Sequence, residues 1–236
     1  MMHFEVLTLF PELIKDAFMT GITGRAVANG LITLDTVDIR EFAVNDYGSV
    51  DDYTYGGGAG MLMMCEPVYE AYLEAKKRLG AADCRVVHLT PAGRLFDEDL
   101  AKELSKEEDI IFLCGHYEGI DERVIGEIVT DNISIGDYVL TGGELPALVV
   151  MDAVSRLIPG VLGNDVSAED ESFGGGLLEY PQYTRPPKWH DREVPKILLS
   201  GDHKKIEQYR MREARRRTKE IRPELYGEYI KKRGIF

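Results

Sequence analysis

Residues 109–123 read DIIFLCGHYEGIDER. An apolar run of strand length, 109–114, is followed by a glycine-containing turn and then by a charged segment with helical spacing. This stretch predicts a buried strand, a loop at its carboxyl end and a helix. Three more runs rich in Val, Ile, Leu and Phe lie at 4–9, 36–40 and 85–89, far enough apart for helices between them. The four runs together predict an α/β fold with a parallel sheet.

A second strand end of the same kind follows at 133–144, which reads ISIGDYVLTGGE. Residues 133–140 predict a strand, and 144–158 predict a helix that is apolar on nearly every side and so is buried. Helices are also predicted at 66–79 and 97–104. Open α/β sheets bind ligands beyond the carboxyl ends of their strands, so the loops after 114 and 140 could line one pocket. Each loop alone is equally compatible with an ordinary strand-to-helix turn.

The charge of the chain is segregated along its length. The net charge is −13, yet residues 181–236 contain 16 Lys and Arg against 8 Asp and Glu. Pro159-Gly160 ends the buried helix, and 161–176 is polar and glycine-rich, as is typical of a linker or active-site loop. We therefore predict a domain at 1–160, a linker at 161–176 and a small, basic, all-helical domain at 177–236, with helices at 202–221 and 223–236.

Composition also limits the location and the redox chemistry of the protein. Three cysteines lack the paired short spacing of a zinc site, and buried thiols in a reducing compartment are expected. The first ten residues do not form a signal sequence, and no apolar run reaches the ~18 residues that cross a bilayer. We expect a cytoplasmic protein with no membrane partner.

The glycine cluster Tyr55–Met61 reads YGGGAGM and follows Asp51, Asp52 and Tyr53. Its backbone could approach a ligand closely because few side chains intervene. A phosphate-binding P-loop is excluded because no Gly-Lys-Ser/Thr follows. Acidic acceptors and an aromatic ring suit contact with a base better than contact with a phosphate. A flexible surface turn explains the cluster equally well.

Taken together, these motifs resemble those of the bacterial tRNA (guanine-N1)-methyltransferases, a branch of the trefoil-knot (SPOUT) methyltransferases. The resemblance spans nearly the whole chain. It rests on these segments: 9–11 (LFP), 24–26 (GRA), 51–52, 55–61, 113–115 with 117–123, 135–144, 156–163 (RLIPGVLG) and 176–186 (GLLEYPQYTRP).

This resemblance implies a C-terminal trefoil knot, which topology rules would otherwise exclude. It implies S-adenosylmethionine as methyl donor, bound within the knot, and a homodimer with shared active sites. A magnesium requirement is also implied, although no cluster of acids marks a metal site. The donor-binding positions carried over are Pro91, Gly115, Tyr117, Glu118, Gly119, Ile135, Gly136, Asp137, Tyr138, Val139, Leu140, Gly142 and Gly143.

The implied reaction is methylation of N1 of guanosine 37, beside the anticodon of tRNA. Guanine N1 is protonated at neutral pH, so a carboxylate base must remove the proton while an arginine stabilises charge on O6. Arg156 matches the family's arginine. The family's aspartate stands directly before Ser-Phe, where this chain has Glu171, with Asp170 one place earlier. Both acids remain candidates for the base, and Arg156 could instead pair with Asp152 one helical turn earlier.

The resemblance also assigns contacts to the tRNA. Guanine contacts are carried over to Asp52, Tyr55 and the glycines 57–60, including Gly58, and backbone contacts to Arg185, Lys188, Arg192, Arg210, Arg215, Arg216 and Arg217. The chain departs from the common family pattern at Thr54, His116 and Gln182, which puts local contacts in question. Two other functions stay open at this point: a knotted methyltransferase for another RNA position, and a non-catalytic RNA-binding homologue.

Overall fold

Five parallel strands form the central sheet of the chain. They are β1 (Met2–Thr8), β2 (Ile32–Asp38), β5 (Arg85–Leu95), β6 (Asp109–Leu113) and β7 (Asp131–Ser134), in the order β2-β1-β6-β5-β7. The parallel α/β fold predicted from the apolar runs is confirmed. The computed structural model describes residues 1–58, 60–80, 83–163, 172–173 and 175–234.

Helices cover both faces of this sheet, so its strands read as nearly continuous apolar runs. One face packs against α1 (Pro11–Phe18), α4 (Glu98–Leu104) and α6 (Glu144–Ser155), and α2 (Gly21–Ala28) lies beside them. The other face packs against α3 (Cys65–Leu79) and α5 (Glu122–Ile128). A short antiparallel pair, β3 (Asp51–Tyr53) and β4 (Met61–Met63), precedes α3, and a 3₁₀ helix, Ile39–Phe42, follows β2.

Strand β5 carries an irregularity at its contact with the edge strand β7. Leu89 and Arg94 both pair with Ile133, so the residues between them bulge out of the ladder. A Cβ on Gly93 would lie 2.4 Å from the Ile133 backbone nitrogen, so only glycine lets the two strands approach this closely. This bulge brings Thr90 and Pro91 to the carboxyl edge of the sheet.

Two predicted elements end earlier than expected. The strand predicted at 133–140 ends at Ser134, because Gly136 adopts φ +145° and the Tyr138 N–H turns back to the Gly136 carbonyl at 2.9 Å. The helix predicted at 144–158 ends at Ser155. The N–H groups of Leu157 and Ile158 then bond to carbonyls three residues back, which tightens the last turn.

The chain divides into two compact units, Met1–Gly163 and Asn164–Phe236. The second unit contains α7 (His203–Ile221) and α8 (Pro223–Arg233), with a 3₁₀ helix at Lys196–Leu199. Asp202 caps α7 by accepting a hydrogen bond from the Lys205 N–H at 3.1 Å.

The all-helical prediction for this second unit was wrong in one respect. Two short antiparallel strands, β8 (Lys188–Trp189) and β9 (Arg192–Glu193), form a hairpin. His190 occupies the left-handed region at φ +52°, which lets the chain reverse within two residues. Across the described residues of both units, none of the helices is long and apolar enough to cross a membrane.

Candidate functional site

A cavity of about 270 Å³ lies at the carboxyl ends of β5, β6 and β7. Its walls are the end of β5 with its bulge, the loop after β6 and the loop after β7. This volume lies just below the usual range of ligand pockets, which runs from about 300 to 1,000 Å³. The glycine strand ends predicted to line one pocket therefore do meet at one cavity.

The two glycine loops touch at the level of their backbones. The Gly143 N–H donates a hydrogen bond to the Gly115 carbonyl at 2.9 Å. A Cβ on Gly143 would lie 2.7 Å from Cys114 Cα and 2.9 Å from the Gly115 nitrogen, closer than real Cβ contacts allow. A Cβ on Gly142 would meet the His116 ring at 2.6 Å. The loop after β7 can pack against the loop after β6 only because position 143 is glycine, and Gly142 leaves room for the His116 ring.

Twelve of the thirteen predicted donor-binding residues line this cavity, and Asp137 does not. Asp137 is exposed in the turn between Gly136 and Tyr138. Its neighbours Tyr138, Val139 and Leu140 line the cavity and expose 54%, 83% and 39% of their surface. Apolar side chains this exposed at a cavity mouth offer contact area to a ligand.

Tyr117 has a strained backbone in the other wall. Its φ is +58°, a left-handed conformation that a bulky residue adopts at a cost of about 1–3 kcal/mol. The strain is held by neighbouring bonds: the Glu118 N–H donates to the Met61 carbonyl at 3.0 Å, and the Met63 N–H donates to the Gly119 carbonyl at 3.0 Å. Strand β4 thus fixes the loop after β6.

Two buried groups lie beneath the cavity: Glu144, whose role the sequence did not indicate, and Cys114, whose burial was expected. Glu144 is buried and accepts a hydrogen bond from the Thr8 hydroxyl at 2.8 Å, and its other oxygen lies 3.9 Å from His116 Nε2. Cys114 is fully buried, and burial, together with the charge of Glu144, raises the pKa of its thiol well above the ordinary value. Cys114 is therefore a packing residue and not a nucleophile.

His88 lines the cavity, and the sequence did not signal this role. It lies on β5, is 7% exposed and shares a 2.9 Å hydrogen bond between Nδ1 and the Asn132 side-chain oxygen. Burial lowers its pKa, so the neutral ring is favoured. With Nδ1–H donated to Asn132, Nε2 is a hydrogen-bond acceptor. In the sequence, the only signal for His88 was its place within the apolar run 85–89. Residues of the core commonly occur in such a run as well.

The glycine cluster 55–60 lies between β3 and β4 and reaches the same loop. Gly56, Gly57, Gly58 and Gly60 all have positive φ, and a Cβ on Gly60 would lie 2.4 Å from Glu118 Cγ. Tyr55 is 99% exposed, and Asp52 and Gly58 are exposed as well. The predicted guanine-contacting residues thus border the loop that carries Glu118, with their side chains open to solvent.

Of the three predicted catalytic residues, the structure describes only Arg156. Arg156 is half-buried at the carboxyl end of α6, and its N–H donates to the Asp152 carbonyl at 3.1 Å. Arg156 does not line the cavity. Asp170 and Glu171 lie outside the described residues.

The predicted contacts to the RNA backbone all belong to the second unit. Lys188 and Arg192 stand on the β8–β9 hairpin and Arg185 precedes it, all three exposed. On α7, Arg210 stacks over Tyr180 at 4.8 Å and Arg215 donates to the Tyr229 hydroxyl at 3.2 Å. The remaining two are held within the unit: Arg216 pairs with Glu213 and Glu220 at 2.9 and 2.7 Å, and Arg217 donates to the Glu179 carbonyl at 3.2 Å.

These features define an α/β protein with a cavity at the carboxyl edge of a parallel sheet, joined to a basic helical unit. The sequence model of the tRNA (Guanine-1)-methyltransferase TrmD family matches residues 2–228. The chain belongs to that family, and the resemblance read from its motifs is confirmed.

Curated relatives cover the chain almost completely. A protein of Lachnospira eligens is 53% identical over 231 residues, 98% of this chain and 98% of that protein. Relatives from Ruminiclostridium cellulolyticum and Clostridioides difficile are each 52% identical, over 96% and 95% of this chain and 97% of each of those proteins. All three are named tRNA (guanine-N(1)-)-methyltransferase.

Proposed function

We propose that this chain methylates N1 of guanosine 37 in tRNA, with S-adenosylmethionine as the methyl donor. Membership of the family supports the reaction class. We assign the donor to the cavity where the loops after β6 and β7 meet. The observation behind this assignment is that twelve of the thirteen expected donor-binding residues line that cavity. A cytoplasmic location follows from a tRNA substrate and remains part of this proposal.

The cavity fits the donor in its chemistry. Gly143 packs where a Cβ would collide with backbone atoms, and Gly115 and Gly142 add no side chain to the cavity wall, which suits a flat adenine held by main-chain groups. The exposed rings and methyl groups of residues 138–140 would be covered by the ligand. The donor-holding residues are the twelve that line the cavity, and Asp137 is omitted from this set.

Bound S-adenosylmethionine supplies a methyl group on a positively charged sulfur. The residues of the chain make guanine N1 nucleophilic. A carboxylate, Glu171 or Asp170, removes the N1 proton, and the Arg156 guanidinium stabilises the negative charge that spreads to O6. A planar guanidinium suits the edge of a purine.

The position of Arg156 supports an active site shared between two subunits. Gly143 and Arg156 flank the two ends of helix α6, and at a rise of about 1.5 Å per residue the 13 steps between them span about 20 Å. Arg156 is therefore remote from the cavity rim of its own chain, and a second subunit would supply the arginine. Exposed apolar side chains on α1 and α6, which pack together, offer a dimer surface: Leu13, Leu145 and Val149.

The trefoil knot and the RNA-binding role of the second unit belong to the same proposal. Support for the knot comes from the chain path: β7 lies at the sheet edge, yet Gly143 bonds to Gly115 beyond the end of β6, two strands away. Exposed Arg185, Lys188 and Arg192 support contact with phosphates. A magnesium requirement stays a prediction.

The proposed function is tested with labelled donor and two tRNA transcripts that differ only at position 37. Guanosine at 37 should give one methyl per tRNA, and adenosine at 37 should give none. Equal labelling of both transcripts would mean that another position is methylated. If neither transcript is labelled although the protein binds both the donor and the tRNA, the chain is a non-catalytic RNA-binding protein.

Sharing of the active site is tested by mixing two inactive variants, Arg156→Ala and Gly143→Ala. In a shared site, each mixed dimer has one intact cavity facing one intact arginine, so random mixing should restore about a quarter of wild-type activity. If cavity and arginine came from one chain, the mixture would stay as inactive as its components.

A further inference from the structure

A cluster of polar groups lies within the sheet, away from the cavity at its carboxyl edge. His3 and Glu5 project from the first half of β1 toward α3, and Asp35 stands beside Glu5 on β2. His3 Nε2 is 3.1 Å from Asp35 Oδ2 and 3.6 Å from Glu5 Oε2. Within the described part of the chain, these three residues are the one set of His, Cys, Asp and Glu side chains with ligand atoms close enough to hold a metal ion.

Glu5 is the unusual member of this cluster. Its side chain is fully buried, and neither carboxylate oxygen has a hydrogen-bond partner. The nearest cations are His3 on Oε2 and the Arg78 guanidinium on Oε1, each at 3.6 Å, beyond hydrogen-bonding distance. A buried carboxylate without hydrogen bonds costs several kcal/mol unless a cation satisfies it.

Local charge also favours an additional cation. Glu5, Asp35 and Asp109 surround the single imidazole of His3. Arg78 is shared with Glu74, whose oxygen it contacts at 3.0 Å, so it does not neutralise all three. A divalent ion would balance the remaining negative charge.

The geometry fits a transition metal. Ligand atoms bound at about 2.0–2.2 Å lie roughly 3.0–3.5 Å apart in tetrahedral or octahedral sites, close to the two observed distances. All three ligand atoms lie within 4.8 Å of one another. Asp109 lies 3.7 Å from Nδ1, on the other side of the imidazole, where metal sites commonly place a carboxylate that orients the ring. Asp35 is 58% exposed and leaves an entry path.

We propose that His3 Nε2, Glu5 Oε2 and Asp35 Oδ2 form a binding site for one divalent transition-metal ion of the zinc type. The imidazole selects against Mg²⁺ and Ca²⁺, which prefer oxygen ligands only. Because His3 and Glu5 belong to β1 and Asp35 to β2, the ion would fasten two strands of the sheet and would take no part in chemistry at the cavity.

The proposal is tested with Zn²⁺ and Co²⁺ on the full, untagged protein at about pH 7.5, since protons compete with a metal ion for the ligand atoms at lower pH. We expect one equivalent of Zn²⁺ by calorimetry, a visible Co²⁺ absorption band that Zn²⁺ removes, and a higher melting temperature that EDTA reverses. His3→Gln, Glu5→Gln and Asp35→Asn should each weaken binding by about 10- to 100-fold or more.

Two control variants remove a histidine and an acid outside the cluster, His203→Gln and Asp99→Asn, both exposed. They should bind Zn²⁺ as the wild type does. Asp35→Asn is the deciding variant, since a change at this exposed position leaves the fold intact. Absence of saturable binding to the wild type, or equal binding by the cluster and control variants, would overturn the proposal and leave a polar cluster that holds no metal ion.

Discussion

Replacement of Gly143 by alanine tests the contact on which the cavity depends. The new Cβ would lie 2.7 Å from Cys114 Cα and 2.9 Å from the Gly115 nitrogen, and both are backbone atoms that cannot rotate away. The two loops must therefore separate by about 0.5–1 Å to restore normal contact distances near 3.5 Å. That shift breaks the 2.9 Å hydrogen bond from the Gly143 N–H to the Gly115 carbonyl.

The expected cost combines two effects. Overpacking costs about 1–3 kcal/mol, and a lost hydrogen bond costs about 1 kcal/mol more. A loss of about 2–4 kcal/mol corresponds to a fall of about 4–16 °C in the melting temperature of a unit of this size. Donor binding should fall with it, because the displaced loops form two walls of the cavity.

The matched control is Gly126→Ala, in α5. A Cβ there meets nothing within 4 Å, and alanine has the higher helix propensity, so stability should stay equal or rise by up to about 1 kcal/mol. Thermal denaturation and calorimetry with S-adenosylmethionine measure both effects. Wild-type stability and donor affinity in Gly143→Ala would refute the account of how the loops form the cavity.

Three further predictions concern the base, pH and the division of the chain. Under single-turnover conditions, Glu171→Gln should lower the methyl-transfer rate by about 10²–10⁴-fold if Glu171 is the base, while Asp170→Asn changes it little; the reverse order of effects would assign the base to Asp170. His88 should destabilise the fold in acid, because burial lowers its folded pKa and the unfolded chain takes up the proton first as the pH falls below about 6.5. Urea denaturation at two pH values should therefore show a smaller loss on acidification for His88→Gln, and an equal loss would exclude this origin. Truncation after Gly163 should retain donor binding and abolish tRNA binding, as measured by calorimetry and filter binding; retained methylation would show that the second unit is dispensable.

The strand, loop and helix at 109–128 could be predicted from the sequence, because local sequence signals and tertiary structure agree in this segment. The apolar run at 109–113 is a strand, Gly115 follows it, and α5 begins at Glu122 after an Asp121 cap. The same agreement fails after Ser134, where apolar alternation continues to Leu140 but the backbone leaves the sheet at Gly136. Glycine conformation outweighs side-chain periodicity at that point.

Contacts between distant segments were not readable. His88 and Asn132 carry no local motif, and the contacts that they and Glu144 make depend on which strands become neighbours. The same holds for His3, Glu5 and Asp35, which are separated along the chain and meet through the β1–β2 register. Sequence spacing does not reveal this proposed metal site, because its residues come from two strands. Family resemblance, by contrast, could supply the cavity residues, since it transfers a whole site at once.

The most direct measurement is the identity and position of the methylated nucleoside. tRNA bearing guanosine 37 is incubated with the protein and S-adenosylmethionine, digested and analysed by mass spectrometry against authentic methylguanosine isomers. The account predicts 1-methylguanosine, confined to the fragment that contains position 37. A methyl group on another atom of guanine, or 1-methylguanosine at any other position, would contradict it.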